Sequence, residues 1–213
     1  MNHPASISDF GVKVLGLLTE QVSCATSEQL LKRGQQLGVS RRAAQETLRR
    51  LRREGMATAK RAIVRQVPIE KPLRCFTSAE TPDDLGRLAS HLCRRWQRAR
   101  QSRPMVYRAT SKAVGLFGAA VTTRADSHKT DHDLVLTEVL LRYLQSDPKP
   151  AWFHEASLDR LELIHSGLKP DAVVWPKQAD SPRAIEVGGQ YSKQRLTQLH
   201  RAMADSNMEW ELW

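Results

Sequence analysis

Cysteine is scarce in this 213-residue chain, which has only Cys24, Cys75 and Cys93 at wide spacing. An odd, scattered set supports neither a disulfide framework nor a zinc knuckle, so all three read as buried thiols. No apolar run approaches the roughly 18 residues that span a bilayer, and Met1-Asn2-His3-Pro4 lacks the basic-then-apolar layout of a signal peptide. A cytoplasmic protein that does not enter a membrane is therefore expected. There is also no internal repeat or heptad run, and no nucleophile elbow or triad spacing around Ser111, Ser192 or the histidines. His128 and His132 bracket no glutamate, which excludes the metalloprotease arrangement. With Asp131 and Asp133 beside them, the expected use of that stretch is helix N-capping by Thr130 or Asp131. Gly188-Gly189 is a lone pair between a predicted strand and helix, for which a simple turn is the expectation.

Hydrophobic residues make up 40% and charged residues 26%. That is enough apolar material for a packed core, and the composition is not that of a disordered chain. The length fits one large or two small domains, and the distribution of charge favours two. Residues 1–68 carry 12 Lys and Arg against 5 Asp and Glu, residues 69–129 again 12 against 5, and residues 130–213 carry 9 against 13. The net charge of +10 therefore comes from the first two blocks. A basic excess confined in this way points to a polyanionic partner, because each neutralised phosphate releases condensed counterions.

Residues 7–21 hold Phe10, Val12, Val14, Leu15, Leu17 and Leu18, dense enough for a first helix buried over a broad face. Thr26-Ser27-Glu28-Gln29 has the form of a capping box and opens a second helix running to about residue 37. Gly38-Val39-Ser40 supplies a turn and an N-cap for a third helix over residues 41–54, which Gly55 ends. In that third helix Ala44, Leu48 and Leu51 form the inward stripe, leaving Arg41, Arg42, Gln45, Arg49, Arg50 and Arg53 outside. Arginine can grip guanine O6 and N7 together, glutamine can pair with adenine, and the remaining arginines can hold phosphates. Residues 56–59 and 62–65 flank Lys60-Arg61, which suits a short hairpin with a basic tip. Over residues 7–68 this pattern resembles the winged helix-turn-helix superfamily, which implies double-stranded DNA as partner. The alternative for the same topology is a protein-interaction module.

Residues 69–104 read as a linker followed by a basic helix. Thr81 as N-cap, Pro82 at the first helical position and Asp83-Asp84 in the first turn predict the start, and Leu85, Leu88, Ala89, Leu92 and Trp96 keep helical spacing. Arg94, Arg95, Arg98, Arg100 and Arg103 follow, as either a second phosphate-contacting surface or a solvated face.

Residues 105–213 read as α/β. Strands are predicted at 106–109, 152–154, 169–175 and 183–188, helices at 130–144 and 192–203, and a closing strand through Met208, Trp210 and Leu212. Pro170-Asp171 before one strand, Ile185-Glu186-Val187 on the next, and an upstream helix carrying Glu138 resemble the core of PD-(D/E)xK nuclease-like domains. Together with the N-terminal helices and His132-Asp133-Leu134, the layout is similar to the replication-relaxation family of plasmid and integrative-element proteins. In active nucleases the two acids would hold Mg²⁺, and a lysine two residues beyond the second acid would help position water. Asp171 and Glu186 match the acids. Gly188 stands where the lysine would be, which leaves Lys193 or Gln190 to reach back.

The expected fold is thus a mixed α+β or α/β chain, a winged helix-turn-helix followed by a mixed-sheet nuclease-like domain. The expected function is sequence-specific binding of double-stranded DNA in replication, conjugative transfer or transcription control of a mobile element. The C-terminal half is expected to be catalytically silent and to serve dimerisation, extra DNA contact or a relaxosome, replication or transcription partner. No cofactor is then needed. The alternative is a Mg²⁺-dependent endonuclease using Asp171, Glu186 and Lys193.

Overall fold

A computed structural model of the chain describes residues 7–117, 129–147, 150–160, 168–177 and 179–213. In chain order the elements are α1 (Asp9–Gly16), continued by a π-helical turn at Leu17–Gln21, β1 (Ala25–Thr26), α2 (Ser27–Gln36) and α3 (Arg41–Arg53). Then follow β2 (Ala57–Arg61), β3 (Val64–Gln66), β4 (Arg74–Phe76), α4 (Leu85–Arg98), β5 (Arg100–Ser102), β6 (Met105–Ala109) and α5 (Ser111–Phe117). The last third holds α6 (Thr130–Ser146), β7 (Ala151–His154), a 3-10 turn at Glu155–Arg160, β8 (Ala172–Trp175), β9 (Arg183–Glu186), α7 (Lys193–Asp205) and β10 (Glu209–Leu212). The architecture is mixed α+β with three separate sheets among the described residues. No helix among them is long and apolar enough to cross a membrane.

Local chemistry sets the helix starts. The Thr26 hydroxyl accepts from Gln29 N–H at 3.2 Å while Gln29 Oε1 accepts from Thr26 N–H at 2.9 Å, a reciprocal capping box that satisfies two orphan donors of α2. Ser8, Ser40 and Ser192 cap α1, α3 and α7 by accepting from Gly11, Ala43 and Arg195 N–H. The turn between α2 and α3 needs a left-handed residue, and Gly38 takes it at φ +73°. Helix α4 starts at Leu85, later than its Thr81-Pro82 signal suggests, because the Asp84 carbonyl accepts the first helical donors, from Arg87 and Leu88.

The chain divides into two compact units interleaved along the sequence: Met1–Ala62 with Arg103–Thr137, and Ile63–Ser102 with Glu138–Trp213. This differs from a division at residues 68 and 104, and strand pairing is the reason. In the first unit the sheet order is β1-β6-β2, all antiparallel, with Ala57 opposite Ala109, Arg61 opposite Met105 and Ala25 opposite Tyr107. Strand β6 therefore completes a sheet with β2 and does not join the C-terminal strands. The expected local hairpin around Lys60-Arg61 does not form. Instead of turning back, the chain runs on into β3, which pairs with β5, Val64 opposite Ser102 and Gln66 opposite Arg100. Against this sheet the first unit buries Phe10, Leu15 and Leu18 of the first helical segment, Leu30 of α2, and Ala44, Leu48 and Leu51 of α3.

In the second unit the sheet order is β4-β10-β9-β8-β7. Strands β7, β8 and β9 form an antiparallel meander, β10 returns parallel to β9 after α7, and β4 closes the edge antiparallel to β10. Helices α4 and α7 supply Leu85, Ala89, Leu92, Leu196, Leu199 and Met203 to a core shared with Phe76, Val173, Ala184, Trp210 and Leu212. A fully buried leucine such as Leu92 contributes about 1.5–3 kcal/mol of transfer free energy. Phe76 stacks on Trp210 at 4.2 Å between ring centroids. Buried Glu211, which the alternating pattern of β10 alone does not announce, is neutralised by Arg183 at 2.8 Å and accepts from the Trp213 indole at 2.8 Å.

The three cysteines differ in burial. Cys24 is buried as expected, and burial pushes its thiol up to about 12 against the opposing pull of Arg108. Cys75 is exposed, contrary to expectation, because it sits on the edge strand β4, of which only Phe76 turns inward. Cys93 is half-buried.

Candidate nucleic-acid interface and acid pair

Helix α3 carries six arginines around one inward stripe. Arg41, Arg42, Arg49 and Arg53 are exposed, and Gln45 is half-buried at the margin of the stripe. Arg52, left out of the sequence-based set, is exposed as well and belongs with them. Arg50 is different: its side chain is 29% exposed and its Nε bonds Glu54 Oε1 at 2.6 Å, one turn along the helix. It is spent on closing the helix end and does not stand on the open face. Acids moderate the rest of the surface. Arg41 pairs with Glu28 at 2.8 Å, while Glu46 lies 3.3 Å from Arg49 and 3.8 Å from Arg53. These exposed pairs are worth little to stability, and they open readily to a stronger anion.

Lys60 and Arg61 are exposed at the far end of β2, opposite Val106 and Met105. The structure thus keeps them at the surface of the first unit, on a strand that continues rather than at the tip of a turn.

A second polar cluster in this unit escaped the sequence. Arg108 on β6 is 9% exposed and donates to the Thr130 hydroxyl at 2.9 Å and the Ser23 carbonyl at 3.3 Å. Asp133 accepts from the Ser23 hydroxyl at 2.5 Å, and the Thr137 hydroxyl donates to the Cys24 carbonyl at 2.6 Å. Burial alone would raise the Asp133 carboxyl. Hydrogen bonds from His132 and Ser23, with the charges of His132 and Arg108, outweigh it and hold the group below the ordinary aspartate range. Thr130 is the first residue of α6, and its hydroxyl receives the Arg108 guanidinium. His128 of the histidine pair lies outside the described residues. The sequence could not show the Arg108–Asp133 cluster, because its members are far apart along the chain and meet only where α6 bonds the Ser23–Cys24 segment beside the β1–β6 pairing.

In the second unit Asp171 and Glu186 do come together. Ala172 pairs with Ile185 across β8 and β9, so the two acids are the next residues outward on neighbouring strands. Both are in structural use. Asp171 Oδ2 accepts from Val187 N–H at 2.7 Å, and the Tyr191 hydroxyl donates to Glu186 Oε1 at 2.6 Å, with Glu186 only 2% exposed. Burial first, then the charges of Glu186 and Asp171, push the Tyr191 phenol far above its usual range, so it stays a donor. Gly188 has a packing reason: a Cβ there would stand 2.5 Å from Leu92 Cδ2 and 3.0 Å from Leu212 Cδ1, and its carbonyl accepts from the Trp96 indole at 2.5 Å. A lysine at that place would force the Leu92 side chain of α4 to shift. Lys193 is exposed, with its Cδ 3.7 Å from where a Cβ on Gly86 of α4 would be. The Arg195 guanidinium lies 5.8 Å from the ring centroid of Tyr191, the phenol that bonds Glu186. Glu138 lies 3.9 Å from Arg142 on its own helix. No group of three or more His, Cys, Asp or Glu side chains suited to a metal ion occurs among the described residues. One oxygen of Asp171 thus accepts a backbone donor and one oxygen of Glu186 a phenol, while a side chain at Gly188 would press on Leu92 and Leu212.

No family model, curated protein or solved structure matches this chain. The functional reading therefore rests on the residues and on the geometry just described.

Proposed function

We propose that this protein binds double-stranded DNA sequence-specifically through its first unit, with α2, the Gly38 turn and α3 as a helix-turn-helix and β2 with β6 as the wing. The observation that carries the reading is α3 itself. Of five exposed arginines, Arg42, Arg49 and Arg53 stand opposite a buried stripe of Ala44, Leu48 and Leu51 and Arg41 and Arg52 flank it, behind a glycine turn and a capped partner helix. An α-helix of that composition suits the major groove, where arginine reads guanine and the flanking cations hold phosphates. Lys60 and Arg61 add backbone contacts from β2. We further propose, from the sequence pattern alone, a cytoplasmic role in replication, transfer or transcription control of a mobile element, acting as a homodimer on a palindromic site.

The second unit is proposed as a catalytically silent nuclease-like fold. Its order of helix, three antiparallel strands, helix and parallel fourth strand supports the nuclease-like resemblance. The engagement of Asp171 and Glu186 with Val187 and Tyr191, and the closed position at Gly188, support its silence. Charge reversal at Arg41, Arg42 and Arg49 tests the DNA reading: duplex affinity and its salt dependence should both fall, as followed by fluorescence anisotropy. Unchanged binding and an unchanged salt slope would reject it.

A further inference from the structure

Helix α4 has two opposite faces of the same length. Leu85, Ala89, Leu92 and Trp96 are buried, and the residues two places on, Arg87, His91, Arg94 and Arg98, are all exposed. The offset of two residues is about 200° on a helix, so the second stripe looks directly away from the core. Nothing acidic interrupts it, since α4 contains no Asp or Glu. Spacing at i, i+4 sets Arg94 beside Arg98, an arrangement that repels and that a merely solvated helix surface avoids by alternating signs. The helix dipole favours cations in the last turn only, so it accounts for Arg98 and not for Arg87 in the first turn. The arginines of α3 are moderated by Glu28 and Glu46, whereas among the described residues no ion pair involves Arg87, Arg94 or Arg98. Beyond the helix the stripe leads to a shallow cleft lined by Gln66, Pro68, Arg98 and Arg100.

We infer that the Arg87–Arg94–Arg98 stripe of α4 is a second, sequence-independent binding surface for the phosphate backbone of duplex DNA. At 1.5 Å per residue it extends about 16 Å, long enough to meet several phosphates of one strand. An anionic lipid surface is the competing occupant for a basic amphipathic helix. That mode needs a free apolar face to enter the bilayer, and here Leu85, Leu92 and Trp96 are already in the core. The inference deepens the DNA-binding reading but rests on different residues, so the two can fail separately.

The test uses the full-length chain and a duplex of about 30 base pairs with scrambled sequence, titrated over a range of KCl. With Arg87→Gln, Arg94→Gln and Arg98→Gln combined, the slope of log affinity against log salt should fall by about two to three, since each neutralised phosphate contributes roughly 0.9. The corresponding Lys triple should restore the slope, and circular dichroism should show both variants folded, because all three positions are exposed. An unchanged slope in the Gln triple overturns the inference, as does a Lys triple that fails to restore it. Binding to phosphatidylserine vesicles that the Gln triple abolishes, with the duplex slope intact, would assign the stripe to membranes and also overturn it. The charge-reversed α3 protein separates the two readings. If charge reversal on α3 leaves affinity and slope as in the parent while the Gln triple lowers the slope, the stripe stands and the α3 reading falls; if the α4 variants bind like the parent while α3 variants do not, the reverse holds.

Discussion

Gly188 carries more of the functional argument than either acid. A methyl group there would meet Leu92 and Leu212, so Gly188→Ala should cost about 1–3 kcal/mol through overpacking. Gly188→Lys, which would complete the nuclease-like signature in sequence, should lower the melting temperature further and yield no Mg²⁺-dependent cleavage. Removing the Tyr191 hydroxyl leaves a nearly inaccessible Glu186 without its phenol donor, and Tyr191→Phe should destabilise by about 1–3 kcal/mol in urea denaturation. Asp133 gives a pH signature. A carboxyl held below its ordinary value adds stability that is fully present above about pH 4 and fades as pH falls through its folded-state pKa. Urea midpoints should therefore drop as pH falls from about 4 towards 2, and Asp133→Asn should flatten that acid limb while costing about 2 kcal/mol near neutrality. Identical acid limbs in both proteins would sink this assignment.

At the scale of elements, the proposed DNA-reading role does not fall evenly on the arginines of α3. Arg49→Gln should weaken duplex binding several-fold, whereas Arg50→Gln, already tied to Glu54, should cost little affinity and instead lower helix stability. Glu46→Gln frees Arg49 and Arg53 and should strengthen binding at low salt, an effect that anisotropy titrations would show fading as salt rises. These helices were legible in the sequence because their signals are local. The Thr26–Gln29 box, Gly38, Ser40 and the Ala44, Leu48 and Leu51 stripe all act within a few residues. The strands β7 to β10 were legible too, from short apolar runs between turn residues. Strands β1, β4 and β5 were not, being two or three residues long and defined only by their partners. The same limit hid the partner of β2: Ala57 finds Ala109, not a near neighbour, and no local pattern encodes that choice.

Across the whole molecule, the interleaved units explain why charge and fold divide the chain differently. The basic N-terminal two thirds contribute α3 to one unit and α4 to the other. Adjacency of Asp171 and Glu186 could be read from strand order in the sequence, while their engagement with Val187 and Tyr191 required the register of β8 with β9. On the proposed silent reading, in which the acid pair holds structure, Asp171→Ala and Glu186→Ala should lower stability without altering the DNA sequence preferred. The most direct test is selection of the full-length protein on random-sequence duplex DNA, with and without Mg²⁺ or Mn²⁺. An enriched, uncut motif whose enrichment is lost on charge reversal at Arg41, Arg42 and Arg49 is the predicted result; metal-dependent cleavage abolished by Asp171→Ala or Glu186→Ala, or no enriched sequence at all, would contradict it.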